Sequence, residues 1–292
     1  MLGYLLFSGV TTGALYALVA LGIVVVFKAT TIVNFAHGDL FMVGGFLAYT
    51  LHVMLKVPYV PSLVLAVALT FGVGMLTDRI AFRPLMKSNM VALVLATVGF
   101  SFMLKGIGRA IWGGQGDYLP FPPLVGFDPI MLPGDIVIIP QQLVVLAGAL
   151  AVMLAFAAFF RLTRAGKMMQ ATADNAKAAT LVGIRTDRVY MLTFGVGAAV
   201  AAAAAALMAP LTLLYPDIGF ALFIKGFAAA VLGGLTSLPG AVVGGILVGV
   251  IESLAGGYID SSFLEVSAFV VIMAVLVLKP TGLMGGALLR RV

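Results

Sequence analysis

The sequence predicts an all-α polytopic membrane protein, and three observations carry that class. The 292 residues are 62% hydrophobic and only 10% charged, and the apolar residues gather in repeated runs near the length of a bilayer crossing. Lipid offers backbone groups no hydrogen-bond partner, so spans must be helices or a closed barrel. Runs such as 63–76 and 143–160 lack the strict apolar/polar alternation of barrel strands, which leaves helices.

Taken in order, runs of about 17–25 residues place spans at 5–27, 35–55, 60–78, 89–108, 140–160, 189–209, 219–236, 238–256 and 263–279, about eight or nine transmembrane or re-entrant helices. The first has no basic segment ahead of it and no small-residue cleavage site, so it reads as a retained span. Gly233, Gly234, Pro239 and Gly240 interrupt the seventh and eighth, which read either as two crossings or as a re-entrant hairpin. One transmembrane domain, 1–292, is expected, with a long polar segment at 161–188 and a Gly/Pro-rich loop at 109–140 that carries Trp112, Gly113, Gly114, Asp117, Asp128, Asp135 and prolines at 120, 122, 123, 129, 133 and 140.

Charge sets the expected orientation. Lys28, Arg79, Arg83, Lys87, Arg161, Arg164, Lys167, Lys177, Arg185, Arg188, Lys279, Arg290 and Arg291, thirteen of the 17 basic residues, fall in loops of one side. The remainder are Lys56, Lys105, Arg109 and Lys225. The positive-inside rule puts the richer side in the cytoplasm, with the amino terminus outside and the carboxyl terminus inside. The net charge of +6 therefore reads as orientation and not as nucleic-acid binding. No cysteine is present, which excludes thiolate chemistry, and two histidines, His37 and His52, are too few for a histidine-rich metal centre.

Polar residues inside apolar runs are the candidates for function. Asn34 and Asp39 suit a helix start, as N-cap and first-turn acid, and with His37 they are expected either to sit beside an aqueous path or simply to cap an interfacial helix. Lys225 and Glu252 lie within spans seven and eight; each is expected to face protein or water, or Lys225 to snorkel to a headgroup. Asp217 and Asp260 read as solvated. In the Gly-rich run, Ser237 or Thr236 is a cap, Pro239 suits a first turn, and Gly240, Gly244, Gly245 and Gly249 form small-residue faces for close packing. Ala198–Ala206, with Gly195 and Gly197, forms another.

Within 161–188, alanines at 165, 171, 173, 176, 178 and 179 support a helix that Gly183 stops. The stretch Lys177-Ala178-Ala179-Thr180-Leu181-Val182-Gly183 resembles the EAA-x-x-x-G coupling loop of ABC importer permeases, with Lys177 in place of the usual acidic residue, so no salt bridge of that residue carries over. The resemblance extends over nearly the whole chain. Thr12-Gly13-Ala14-Leu15-Tyr16-Ala17-Leu18-Val19-Ala20-Leu21-Gly22, Asn34-Phe35-Ala36-His37-Gly38, Arg164-Ala165 through Gly183-Ile184, Val231-Leu232-Gly233-Gly234 with Pro239-Gly240-Ala241 and Gly244-Gly245, and Lys279-Pro280-Thr281-Gly282-Leu283 together are similar to the LivH-type permeases of branched-chain amino acid ABC importers.

That resemblance implies a multi-pass subunit of a bacterial inner membrane, forming half of a translocation path. It implies a second, LivM-like permease, two ATP-binding subunits that hold ATP and Mg, and a periplasmic substrate-binding protein. It also implies ATPase coupling through Arg164, Asp174, Ala178, Ala179 and Gly183; the polar residues Asn34, His37, Asp39, Lys225 and Glu252 are the candidates to line a transport path. Permeases of this type also serve urea and short amides, so the cargo stays open. No G-x-x-x-x-G-K-[ST] phosphate loop occurs in the sequence, so ATP hydrolysis, and any cofactor, belongs to partner chains. An ion-coupled transporter using Asp39 and Glu252 is the alternative from another mechanism; an intramembrane enzyme built on His37 and Asp39 lacks a convergent nucleophile and oxyanion donors.

Overall fold

The computed structural model describes residues 1–86, 88–113, 118–126, 128–132 and 136–286. Lys87, Gly114, Asp117, Pro133, Asp135, Arg290 and Arg291 therefore lie outside the described residues. Every apolar run named above is helical. The helices are α1 (Leu2–Thr30), α2 (His37–Tyr49), α3 (Tyr59–Thr77), α4 (Met90–Trp112), α5 (Pro140–Leu162), α6 (Arg164–Asp174), α7 (Ala176–Leu181), α8 (Thr186–Met208), α9 (Ile218–Gly233), α10 (Leu238–Tyr258) and α11 (Phe263–Leu278). Six, counting the short turns that prolong α3 and α8, are long and apolar enough to cross a membrane. At about 1.5 Å per residue, α9 and α11, with 16 residues each, reach about 24 Å, and α2, with 13, about 20 Å; all three fall short of a hydrocarbon core of about 30 Å.

The bundle is built around α1 and α8. Residues 14–26 of α1 and most of the alanine run of α8 are buried; along α8 the small side chains let neighbouring helices approach the axis. Along α1 and α10, which run antiparallel, a Cβ on Gly245 or Gly249 would overlap the backbone of Ala17 or Gly13. Across α3 and α8, Tyr59 Oη donates to the Ala206 carbonyl at 2.9 Å. The faces of α3, α4 and α5 away from these contacts expose Val64, Leu69, Leu95, Phe102, Leu150 and Leu154, which need lipid or protein cover.

Two short helices begin inside the molecule. After Thr31, left-handed at φ 60°, the chain runs back along α1 until the His37 ring lies on Gly22, where a Cβ would strike it. Gly22 is eight residues short of Thr30, about 12 Å of helix, so α2 starts well below the end of α1. The expected span 35–55 is thus a helix that starts at His37 and closes with a π turn, Thr50–Met54. On the opposite side, the chain after α8 forms β4 (Leu213–Leu214), which pairs antiparallel with β1 (Leu119–Pro120), and α9 then starts beside α2, with the backbones of Gly219 and Gly38 in direct contact. The loop 109–140 also holds an antiparallel hairpin of β2 (Ile130–Leu132) and β3 (Ile136–Ile138). Its first residues belong to α4: Trp112 stacks on Phe46 at 4.9 Å and donates to Thr50 Oγ1 at 2.8 Å.

Candidate functional site

Two clusters of polar residues stand out within the bundle. In the first, Asn34, His37 and Asp39 are all buried where α2 begins. Asn34 does not cap the helix as expected: its Oδ1 accepts from the Ala36 N–H at 3.1 Å, closing a turn ahead of the helix, and Ala36 occupies the N-cap position. The Phe35 N–H donates to Thr97 Oγ1 of α4 at 3.3 Å. Asn34 Nδ2, both ring nitrogens of His37 and Asp39 Oδ1 are buried without a hydrogen-bond partner, which costs free energy. Asp39 instead meets a charge, since Lys105 Nζ of α4 lies 3.9 Å from its Oδ1.

The same ammonium is 3.9 Å from Asp217 Oδ1, and Arg109 Nη2 donates to Asp217 Oδ2 at 2.7 Å. Asp217, expected to be merely solvated, is therefore the hub of a charged chain joining α4, α2 and the start of α9. The reason is the inward return of residues 213–217, which delivers the carboxylate to one face of α4 where Lys105 and Arg109 stand one turn apart. A lysine inside the span 89–108 is the same signal that singled out Lys225, so Lys105 was within reach of sequence reading. Asp260 is solvated as expected, accepting from the Ser262 N–H at 2.8 Å.

The second cluster brings together two predicted residues and one that was missed. Lys225 Nζ donates to Glu252 Oε1 at 2.6 Å, and Tyr16 Oη donates to the same oxygen at 3.1 Å. Lys225 also lies 5.5 Å from the centre of the Tyr16 ring. It does not snorkel; it ties α9 to α10 and α1 in the interior. No feature of the sequence around Tyr16 distinguishes it from other tyrosines, because the link depends on the antiparallel register of α1 and α10.

The interrupted run becomes a tight turn between α9 and α10. Ser237, and not Thr236, is the cap, its Oγ accepting from the Gly240 N–H at 3.1 Å, and Pro239 lies in the first turn. Gly233 and Gly240 touch backbone to backbone, Gly244 abuts the Ala229 carbonyl, and Gly234 has φ 105° with the Gly285 backbone against it. The chain from Lys279 folds back here: the Leu283 and Met284 N–H groups donate to the carbonyls of Leu232 and Gly233 at 2.8 and 3.0 Å.

The segment 161–188 is two helices, α6 and α7, broken at Asn175 and not first at a glycine. Thr163 caps α6 through the Gly166 N–H at 3.0 Å, and Asn175 caps α7 through the Ala178 N–H at 3.0 Å. Gly183, at φ 86°, lies just past α7 and is exposed. Ala179 is buried, while Lys177, Ala178, Leu181 and Val182 point outward, with Leu181 89% exposed. Asp174 lies 3.6 Å from Lys28 at the end of α1; Arg164 is exposed. Beside α7 an open cleft of about 500 Å³ is lined by Arg83, Gly183, Arg185, Asp187 and Arg188. Among the described residues, no group of three or more His, Cys, Asp or Glu is placed to hold a metal. The arrangement offers charged groups that can bind by charge, and among the described residues no nucleophile and base are assembled.

Residues 5–278 match the family described as branched-chain amino acid transport system / permease component. The chain is 34% identical to the high-affinity branched-chain amino acid transport system permease protein LivH of Salmonella typhimurium, over 96% of this chain and 94% of that protein. It is 33% identical to the corresponding permease protein BraD of Pseudomonas aeruginosa, over the same shares. Among solved structures, PsaBC from Streptococcus pneumoniae in complex with Fab shares the fold, with a TM-score of 0.52 at 14% identity, covering 94% of this chain and 91% of that one.

Proposed function

We propose, for a chain that belongs to the family of permease components of branched-chain amino acid transport systems, that it is the membrane subunit of an ABC importer and forms half of its translocation path. Branched-chain amino acids are the proposed cargo, after the transport systems for which its relatives are named. The partners are a second, LivM-like permease, two ATP-binding subunits that hold ATP and Mg, and a periplasmic substrate-binding protein, in a bacterial inner membrane. The amino terminus lies outside and 161–188 in the cytoplasm, consistent with the positive charge at that end. Alongside the six long helices, α2, α9 and α11 complete a nine-helix bundle in which the starts of α2 and α9 meet in the interior.

The observation that carries this reading is α7. It presents Leu181 and Val182 to solvent on a capped helix, and α6 ties it to α1 through Asp174 and Lys28 at 3.6 Å. An exposed apolar knob on a short capped helix is suited to a groove in a partner. A partner that closes on nucleotide binding and grips this knob favours one tilt of α1 and α8 over another, which is the differential interaction a two-state switch requires.

Gly183 tests the coupling. Nothing lies within 4 Å of a Cβ placed on it, so a Cβ meets no neighbour, while the positive φ strains an L side chain by roughly 1–2 kcal/mol. Gly183→Val is expected to leave membrane insertion intact and to lower both ATP-driven leucine uptake and stimulated ATPase activity of the assembled importer. Unchanged uptake and stimulation overturn the coupling role, and ATP-independent uptake by this chain alone overturns the importer reading.

A further inference from the structure

Opposite the coupling end, the charged chain Asp39–Lys105–Asp217–Arg109 opens on a hollow of about 450 Å³ lined by Arg109, Gly113, Tyr118, Tyr215, Pro216 and Asp217. That volume lies within the range of small-molecule sites, about 300–1,000 Å³. Arg109 and Asp217 are both more than half exposed, at 59% and 53%, whereas Lys105 and Asp39 behind them are 14% and 3% exposed. The hollow therefore has a wet, exchangeable ion pair at its mouth and a buried pair at its back. Tyr118 and Tyr215 pack together with ring centres 5.4 Å apart and supply its apolar wall.

We propose that this hollow binds the zwitterion of an α-amino acid, its carboxylate on Arg109 and its ammonium on Asp217, as the first station of the permease; this rests on the importer reading above. The charge count selects the ligand. Two cations and two carboxylates cancel, so a lone anion or a lone cation leaves a net charge beside the membrane, whereas a zwitterion replaces the Arg109–Asp217 contact by two equivalent ones. An exposed pair is weak in water and is easily exchanged. The guanidinium is a planar fork suited to a carboxylate, and Lys105 stays behind to compensate Asp39. The tyrosines and Pro216 face the ligand's side chain. Asp39 Oδ1, buried and without a hydrogen-bond donor, lets Lys105 lean inward as Asp217 turns to the ammonium.

The chain carries one tryptophan, Trp112, one turn beyond Arg109 on α4, so its fluorescence reports on the site. Purified full-length chain in lipid nanodiscs is titrated with L-leucine, with isovalerate, which lacks the ammonium, and with isoamylamine, which lacks the carboxylate. The expected result is a saturable change with leucine, at least tenfold weaker binding of either analogue, and loss of the response in Arg109→Gln and Asp217→Asn. No saturable response to leucine, equal response to the analogues, or a response that survives in both Arg109→Gln and Asp217→Asn overturns the site. ATP-driven leucine uptake by the assembled importer is measured in parallel: uptake without binding removes this site and leaves the importer reading standing, and absence of uptake overturns that reading whatever the titration shows.

Discussion

At the scale of residues, the interior ionic triad gives the sharpest stability prediction. Glu252 accepts from Lys225 and Tyr16 through one oxygen, and its Oε2 is buried without a partner. Removing one member of such a pair leaves an uncompensated charge in a low-dielectric interior, with a typical cost of about 3–5 kcal/mol, whereas replacing both by apolar groups of similar size is often neutral or better. Glu252→Leu alone is expected to lower the thermal midpoint of the detergent-purified chain sharply, and Lys225→Met with Glu252→Leu to recover most of the loss. If the double variant is as unstable as the single one, the pair does more than satisfy itself. If it is as stable as wild type but transport fails in the assembled importer, Lys225 and Glu252 belong to the path.

At the scale of elements, the hinge between α6 and α7 depends on one side chain. Asn175 is extended at φ −155° and its carboxamide oxygen satisfies the Ala178 N–H, an end group with no intrahelical partner. Asn175→Ala removes the cap at a typical cost of about 1 kcal/mol. Because α7 has six residues, too few to be stable alone, that loss is expected to fray it. Hydrogen exchange over 176–181 is expected to rise several-fold while exchange in α6 stays put; equal protection in both variants means tertiary contact, through Ala179, holds α7 without its cap. The Asn175 break was open to sequence reading, since asparagine ahead of an alanine-rich turn is a cap signal, but the alanines run on both sides of it and read as one helix. The six long apolar helices were legible because lipid demands length and hydrophobicity. The depth of α2 was not, because periodicity says nothing about where along the membrane normal a helix starts; only the contact of His37 with Gly22 reveals it. Strands β1 and β4, two residues each, are too short for any alternation to show.

At the scale of the whole molecule, sidedness decides whether the two ends can do what is proposed of them. The end bearing Lys28, Arg83, Arg185 and Arg188 carries α7, and the opposite end carries the hollow between Tyr118 and Tyr215. Both depend on the basic end facing the cytoplasm, because the proposed ATP-driven partner acts from there and the proposed cargo enters from the other side. The chain lacks cysteine, so a single introduced thiol is an unambiguous probe. Lys177 and Tyr118 are exposed, and neither makes a described ion pair to a buried residue, so Lys177→Cys and Tyr118→Cys are expected to insert normally. In intact spheroplasts an impermeant maleimide is expected to label Tyr118→Cys at once and Lys177→Cys only after lysis. The reverse pattern inverts the bundle, puts the α7 knob outside and removes any ATPase from its reach. With the expected pattern, a thiol at Leu181, 89% exposed on that same short helix, is predicted to cross-link to an ATP-binding subunit in membranes, with a yield that changes on addition of a non-hydrolysable nucleotide. A yield indifferent to nucleotide leaves α7 as a fixed anchor and moves the lever to another contact.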